Sequence, residues 1–375
     1  MLLRLVCIFA FICANTVYAQ EEGNESEAET KRASGIAPDL REDETKFKLQ
    51  KRDFIIVPVP IVTPTIGSGL VVGGAYFYRQ TEEQKKVQPA SMTAAAGVYT
   101  NNDSKAFVIG HQSYWAEDTW RLGAGVGKAD LKLLLQNPGD SSTEPTLNWN
   151  VRGDMGMFRL DRKVFGDWYA GVFGRIVDFE QSISALNADN PFDEGEETKT
   201  VGLGLRAEHD SRDMPLNSYT GHLFSFSALF NDESLGSDST YQTVKIEYRS
   251  YHELQAPVVL AWELKACEGS RKAPLWDACK IGLRGFSATT YLGKASASAQ
   301  FEARWRLSKR WGVVGFAGTG YVVESFGENS DRELIPSYGI GVRFMVLQSK
   351  RINLRIDYAR SNDSDAFHMS VGEAF

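Results

Sequence analysis

The sequence predicts an all-β fold: a transmembrane antiparallel β-barrel of sixteen strands, with fourteen as the alternative count. Three observations carry this. The chain opens like an exported protein. Its long body alternates polar and apolar residues with period two and holds no second long apolar run. Its connections alternate between short and long.

The chain opens MLLRLVCIFAFICANTVYAQ. Arg4 supplies a positive start, Leu5 to Ala14 an apolar stretch, and Val17-Tyr18-Ala19 a small-x-small cleavage pattern. The apolar stretch is about half of the ~20 residues a spanning helix needs. Residues 1–19 are therefore expected to be a cleaved signal peptide. Residues 20–53 are polar, charged and nearly free of large apolar side chains, so they cannot bury a core and read as a disordered periplasmic tail. Residues 54–375 read as one barrel domain.

The strands are clearest near the C-terminus. In 350–358, Ile352, Leu354, Ile356 and Tyr358 alternate with Arg351, Asn353, Arg355 and Asp357. In 296–307, Phe301, Ala303, Trp305 and Leu307 alternate with Gln300, Glu302, Arg304 and Arg306. Segments 337–346 and 365–375 repeat the pattern, the latter placing Phe367, Met369, Val371 and Phe375 on one apolar face. Further strands are expected near 309–323, 256–266, 239–252, 220–231, 198–210, 166–181, 146–159, 119–128, 104–115, 91–100 and 68–80. That set is odd, and single-chain bacterial barrels have even numbers. The candidate that restores parity is 54–63 (FIIVPVPIVT), whose two prolines make it a weakly paired strand. The polar faces assign Glu247, Arg249, Glu263, Lys265, Glu302, Arg304, Arg306, Arg343, Arg351, Arg355 and Asp357 to the lumen. They would bind a substrate there or, more simply, pair with one another along a solvated wall.

The net charge of −7 and the absence of a basic stripe argue against nucleic acid as a partner. Removing the leader leaves Cys267 and Cys279. An even count in an exported chain points to one disulfide, the alternative being two unpaired thiols at a strand end. No catalytic residue, metal site or cofactor is expected. Gly123 to Lys128 faintly resembles a phosphate loop, but Ala129 stands where Ser or Thr is needed and no helix follows. His209, Asp210 and Ser211 are adjacent, so neighbours point to opposite faces and form no relay. The histidines show no metal-ligand spacing. A phospholipase would need a Ser/His pair on one outer face, and the sequence offers none.

The ordered motifs GLRGF (282–286), FEARWRL, WGVVGFAGTGYV, GIGVRF, NLRIDY and a terminal VGEAF resemble the BamA/TamA outer-membrane assembly superfamily, also called bacterial surface antigens. The piece EHDSRDMPLNSYTG at 208–221 resembles that family's periplasmic turn. The resemblance implies a sixteen-stranded barrel in the outer membrane of a Gram-negative cell. It also implies a sixth extracellular loop, here 267–293, folded into the lumen. Its tip carries Arg284, Gly285 and Phe286, and the arginine meets carboxylates on the inner wall. Glu302 matches the first carboxylate. Gly318 stands where an F-x-D motif would place the second, so one pair is expected to dominate; the simpler alternative leaves Arg284 capping a solvated loop. Phe375 matches a C-terminal assembly signal. The tail at 20–53 is too short for a periplasmic docking domain, so the resemblance is to a barrel-only branch. Implied partners are outer-membrane lipids, polypeptide or lipid substrates, and the barrel assembly machinery. Two function classes follow: an assembly or translocation barrel whose first and last strands unzip, or a passive pore or structural barrel.

Overall fold

A computed structural model describes residues 54–135, 147–185, 195–255, 257–270, 272–325, 334–348, 351–362 and 364–375. The expected signal peptide (1–19) and tail (20–53) lie outside the described residues. The wall begins with β1 (Phe54–Thr63), β2 (Gly67–Phe77), β3 (Met92–Thr100), β4 (Lys105–Trp115), β5 (Trp120–Leu135) and β6 (Leu147–Phe165). It continues through β7 (Trp168–Ala185), β8 (Glu196–Asp210), β9 (Gly221–Asn231), β10 (Tyr241–Gln255) and β11 (Val258–Gly269). It ends with β12 (Leu292–Arg306), β13 (Trp311–Ser325), β14 (Ile335–Leu347), β15 (Ile352–Arg360) and β16 (Asp365–Val371). Each strand pairs antiparallel with the next, and β1 meets β16, closing a ring of sixteen. Closure leaves no free edge, which a sheet surrounded by lipid requires. A two-residue ladder, Cys279–Lys280, pairs with the start of β12 and stands outside the ring.

The expected strand at 54–63 matches β1, so parity holds. Strands β5, β6 and β7 run past the expected ends, to Leu135, Phe165 and Ala185. A crossing takes about 9–11 residues, whereas β6 has 19. Phe165 borders the short β6–β7 turn on one rim, whereas the ends of β5 and β7 and the start of β6 project beyond the apolar belt on the rim that carries the long loops. There their outer faces turn charged, with Lys105 near Asp130 (3.5 Å), Lys128 near Asp154 (3.4 Å) and Arg152 near Glu180 (2.7 Å). The opposite rim carries the start of β1 and the end of β16. The β2–β3 connection on that rim holds α1 (Glu82–Val87), closed by a capping box. Thr81 Oγ1 accepts the Gln84 N–H at 3.2 Å, and Gln84 Oε1 accepts the Thr81 N–H at 3.0 Å.

The outer face is apolar, with Phe107, Val126, Ile176, Leu203, Trp305 and Ile340 all exposed. The inner wall is of two kinds. From β8 round to β16 it carries the charges expected of a polar lumen. Each of the eleven charged residues assigned there from sequence stands in an ion pair. Arg351 is the exception in place: it sits in the β14–β15 turn, with φ 47, and binds Asp213 of the β8–β9 turn at 2.5 Å. From β1 to β7 the inner wall is largely apolar, contrary to the expectation of a polar lumen throughout. Val59, Ile61, Val71, Val98, Trp149 and Phe179 form one buried cluster there.

Candidate functional site

The β11–β12 connection is the most heavily anchored loop among the described residues. Cys267 at the end of β11 is bonded to Cys279, as the cysteine count suggested. The chain then runs Ile281, Leu283 and Phe286 into an apolar cluster with Val322 and Ile335. Two glycines of β13 make the approach possible. A Cβ on Gly320 would stand 2.8 Å from Ile281, and one on Gly318 would stand 3.1 Å from Leu283. The residue that occupies the place of the expected second carboxylate thus gives room to the loop itself.

Arg284 is 6% exposed and Glu302 is fully buried. The Arg284 guanidinium donates through Nη2 to Glu302 of β12 and through Nη1 to Asp357 of β15, the latter at 2.9 Å. Its plane lies 3.4 Å from the Phe316 ring centroid, where cation–π attraction adds to the ion pairs. A second carboxylate is therefore present. It comes from Asp357, two strands beyond the F-x-D position, and corrects the single pair expected from Gly318.

Both carboxylates are shared. Glu302 also accepts from Arg304 Nε at 2.9 Å. Asp357 accepts from Arg343 Nη1 at 2.5 Å and lies 3.6 Å from Arg355. Arg343 in turn holds Glu373 at 2.7 Å. Four guanidiniums and three carboxylates so form one network, consistent with the rule that buried charges are paired. Around it, Ser337 donates to the Arg284 carbonyl, and Ser364 donates to the Gly285 carbonyl at 2.8 Å. Gly285 has φ +105, and a Cβ there would stand 3.1 Å from the Arg360 backbone. Only glycine fits that corner. Phe286 packs edge-on against Tyr291, with centroids 4.8 Å apart.

The same loop is held at further points, the Thr289 hydroxyl donating to the Leu134 carbonyl at 2.5 Å among them. Asp277 receives the Arg175 guanidinium and the Tyr241 hydroxyl, the latter at 2.7 Å. Burial raises its pKa, but the Arg175 charge and hydrogen bonds outweigh it and hold the carboxyl well below the usual range. Thr65, in the β1–β2 turn, accepts the Ser287 hydroxyl and the Ala288 N–H, both at 3.1 Å.

The ring is weakest between β1 and β16. The two strands share one register pair, Val62 with Met369, whereas β1 pairs with β2 along all ten of its residues. That unbroken ladder means the residues bonding β2 are the odd-numbered ones. Pro58 and Pro60 therefore turn their missing N–H groups toward β16.

Phe375 is not on the outer face. Gly372, with φ +92, turns the chain after β16, and Glu373 is caught by Arg343 and by Asn353 at 2.6 Å. Phe375 ends 6% exposed on the lumen side, packed with Tyr251 and Ala261, and Arg304 donates to its carbonyl at 2.9 Å. The outward aromatic of β16 is Phe367.

Residues 169–375 match the model of the Omp85 superfamily domain. The chain belongs to the Omp85 superfamily. Among solved structures, this Omp85 chain is similar to BamA from Haemophilus ducreyi lacking POTRA domains 1–3, with a TM-score of 0.59 at 13% identity. That similarity covers 86% of this chain and 70% of the BamA chain. It is also similar to CdiB from Acinetobacter baumannii (TM-score 0.57, 12% identity, 86% of this chain and 60% of that one). For CdiB from Escherichia coli the TM-score is 0.59 at 11% identity, over 87% of this chain and 64% of that one. This chain thus spans less than two thirds of either CdiB chain. No curated protein matches the sequence.

One pair escaped the sequence reading. Ser211 Oγ lies 3.2 Å from His222 Nδ1 on the outer side of the β8–β9 turn of this Omp85 barrel. Adjacent-residue reasoning looked at His209, which stacks on His222 with centroids 4.8 Å apart. The serine oxygen also accepts the backbone N–H of His222 at 3.1 Å and contacts its carbonyl at 3.3 Å. These bonds tie the turn together and leave the hydroxyl engaged with backbone.

Proposed function

We propose that this Omp85 barrel sits in the bacterial outer membrane and inserts or translocates a polypeptide or lipid by parting β1 from β16. The observation that carries the proposal is the seam: one register pair, with two prolines aimed at the partner strand. Separating these strands disrupts far less ladder than separating any other neighbours. The loop carrying Arg284 acts as a lock on the lumen side. It holds β12 and β15 through Glu302 and Asp357, and it reaches the β1–β2 turn through Thr65. In this orientation the rim of long loops is extracellular and the other rim periplasmic. The partners are outer-membrane lipids, the transported chain, and the barrel assembly machinery that would insert this protein.

The test replaces Val62 and Met369 by cysteine, so that an oxidant closes the seam. In cells depleted of the wild-type protein, the reduced double variant is expected to restore the levels of other outer-membrane barrels or the asymmetry of outer-membrane lipids. The oxidised one is expected to fail. Equal rescue by both forms would favour a passive pore or structural barrel.

A further inference from the structure

The apolar half of the lumen carries a cavity of about 500 Å3. Its wall is unusual for a barrel interior, where water-facing side chains are polar as a rule. Val108, Leu131, Met155 and Phe173 are among the apolar side chains that line it, with Gly123 and Gly125 of β5 beside them. At Gly125 the nearest atoms an added Cβ would meet are backbone atoms of the neighbouring strand, at Ile109 and Gly110. Leu275 and Trp276 of the β11–β12 loop pack into the apolar cluster nearer the loop rim.

The charges on this cavity have one sign. The inward charged residues lining it are Arg159, Arg175, Arg206 and Lys245, and no Asp or Glu among the described residues lines it. The carboxylates that pair with these cations stand off the cavity surface. Asp161 and Glu208 hold Arg206 at 2.6 Å each, and Asp277 holds Arg175. The void thus presents hydrocarbon together with cationic groups whose carboxylate partners stand behind them. Its size falls in the range of small-ligand sites, roughly 300–1,000 Å3.

We infer that the lumen holds a binding site for a single-chain anionic amphiphile, of the fatty-acid class. Its hydrocarbon chain lies along Met155 and Phe173 and its anionic head meets Arg159 and Arg206. An apolar wall facing water costs free energy, and a buried alkyl chain removes that cost at roughly 25 cal/mol per Å2 covered. A carboxylate head suits guanidiniums in its hydrogen-bonding geometry as well as in sign. A neutral lipid would use the wall but not the cations; an anionic peptide would use the cations but not the wall.

Period-two geometry gives a sharp test. The protein is placed in nanodiscs of unlabelled phospholipid and exposed to hexadecanoic acid carrying a diazirine on its chain, and photolabelled residues are mapped. Lipid contact labels the outward positions, such as Ile176 and Ile340. The luminal site adds saturable labelling at the inward Met155 and Phe173, abolished by excess unlabelled hexadecanoate. Gly125→Leu fills the cavity and is expected to lower the inward labelling by about tenfold, the loss of roughly two methylene groups' worth of burial. Outward labelling stays unchanged. Ser225→Leu, from the opposite wall, repeats the test if the first variant does not fold, folding being checked by heat-modifiable gel migration. Arg159→Gln is expected to weaken labelling by the acid but not by the matching alcohol. Labelling confined to outward residues, or inward labelling that both leucine variants leave intact, overturns the site. Equal labelling by acid and alcohol overturns the anionic head. Inward labelling by a two-chain anionic phospholipid probe and not by the free acid overturns the single-chain assignment.

Discussion

Removing charges one at a time from the Arg284 network should give a ranking set by what each removal strands. Arg284→Met leaves three guanidiniums against three carboxylates. Glu302 keeps Arg304 at 2.9 Å, and Asp357 keeps Arg343 at 2.5 Å, so neither carboxylate is orphaned. The methionine also keeps an apolar stem over Phe316. The cost is then charge-assisted hydrogen bonds and the cation–π contact, about 2 kcal/mol. Asp357→Asn leaves four guanidiniums against two carboxylates. Arg284 keeps Glu302 and Arg343 keeps Glu373, but Arg355 loses the carboxylate 3.6 Å away. An uncompensated buried charge costs on the order of 3–5 kcal/mol. Asp357→Asn should therefore be the more damaging change, although Arg284 is the residue that the motif marks. The assay is urea unfolding of the barrel in lipid vesicles, followed by tryptophan fluorescence and by gel migration. Arg284 and Asp357 share a hydrogen bond, so the double variant should fall short of the sum of the singles by about 1 kcal/mol or more. Arg284→Met costing as much as Asp357→Asn, or strictly additive effects, would refute the network as drawn.

Three further outcomes follow from separate parts of the molecule. Replacing Pro58 and Pro60 by valine supplies the two N–H groups that face β16; the temperature at which the barrel unfolds on a gel is expected to rise, and transport through the seam to fall. Reducing Cys267–Cys279 releases a short loop and is expected to lower stability by up to about 3 kcal/mol, read as a shift in the urea midpoint of the Cys267→Ser/Cys279→Ser variant. Asp277 contributes stability that is fully present above its unfolded value of about 3.9 and is lost only as pH falls through its depressed folded value. Acidification from pH 7 to 5 should thus leave this anchor intact. Asp277→Asn should be less stable at pH 7, with its deficit unchanged down to pH 5; a deficit that shrinks between 7 and 5 would mean the carboxyl titrates there.

The ring was legible because period two is hard to imitate over many strands, and because parity promoted the proline-bearing 54–63 to β1. What failed did so where another rule overrode alternation. The far end of β5 leaves the apolar belt, so Asp130 looks like a loop residue although it pairs with Lys105 across a ladder. The helix at Glu82–Val87 was announced only by Thr81 and Gln84, a local capping signal inside a connection. Phe375 shares parity with Phe367, but Gly372 ends the strand between them, and parity carries no information past a turn. The second partner of Arg284 was missed because a motif names a position on one strand. A lumen only needs some wall to supply the charge, and Asp357 already stood among the inward residues. The apolar inner half was hidden by glycine, which alternation counts as neither polar nor apolar.

The loop and the seam meet at Thr65, which allows the coupling between them to be measured. Residues 284–288 touch both sides of the β1–β16 join. On one side Arg284 and Gly285 hold Asp357 and Ser364, which flank β16; on the other Ser287 and Ala288 bond Thr65, next to β1. Pulling the strands apart at this rim would stretch the segment between those anchors. Thr65→Val keeps the shape of the side chain and removes both bonds, each worth about 1 kcal/mol. If the loop restrains the seam, oxidative closure of the Val62→Cys/Met369→Cys pair should report it: Thr65→Val lets the strands separate more often, so a thiol reagent added from outside should block the pair up to about thirtyfold faster. Ser364→Ala, on the other anchor, should act in the same direction. Unchanged blocking rates in both variants, with the barrel intact on a gel, would mean that the seam opens without consulting the loop, and the lock would be a matter of stability alone.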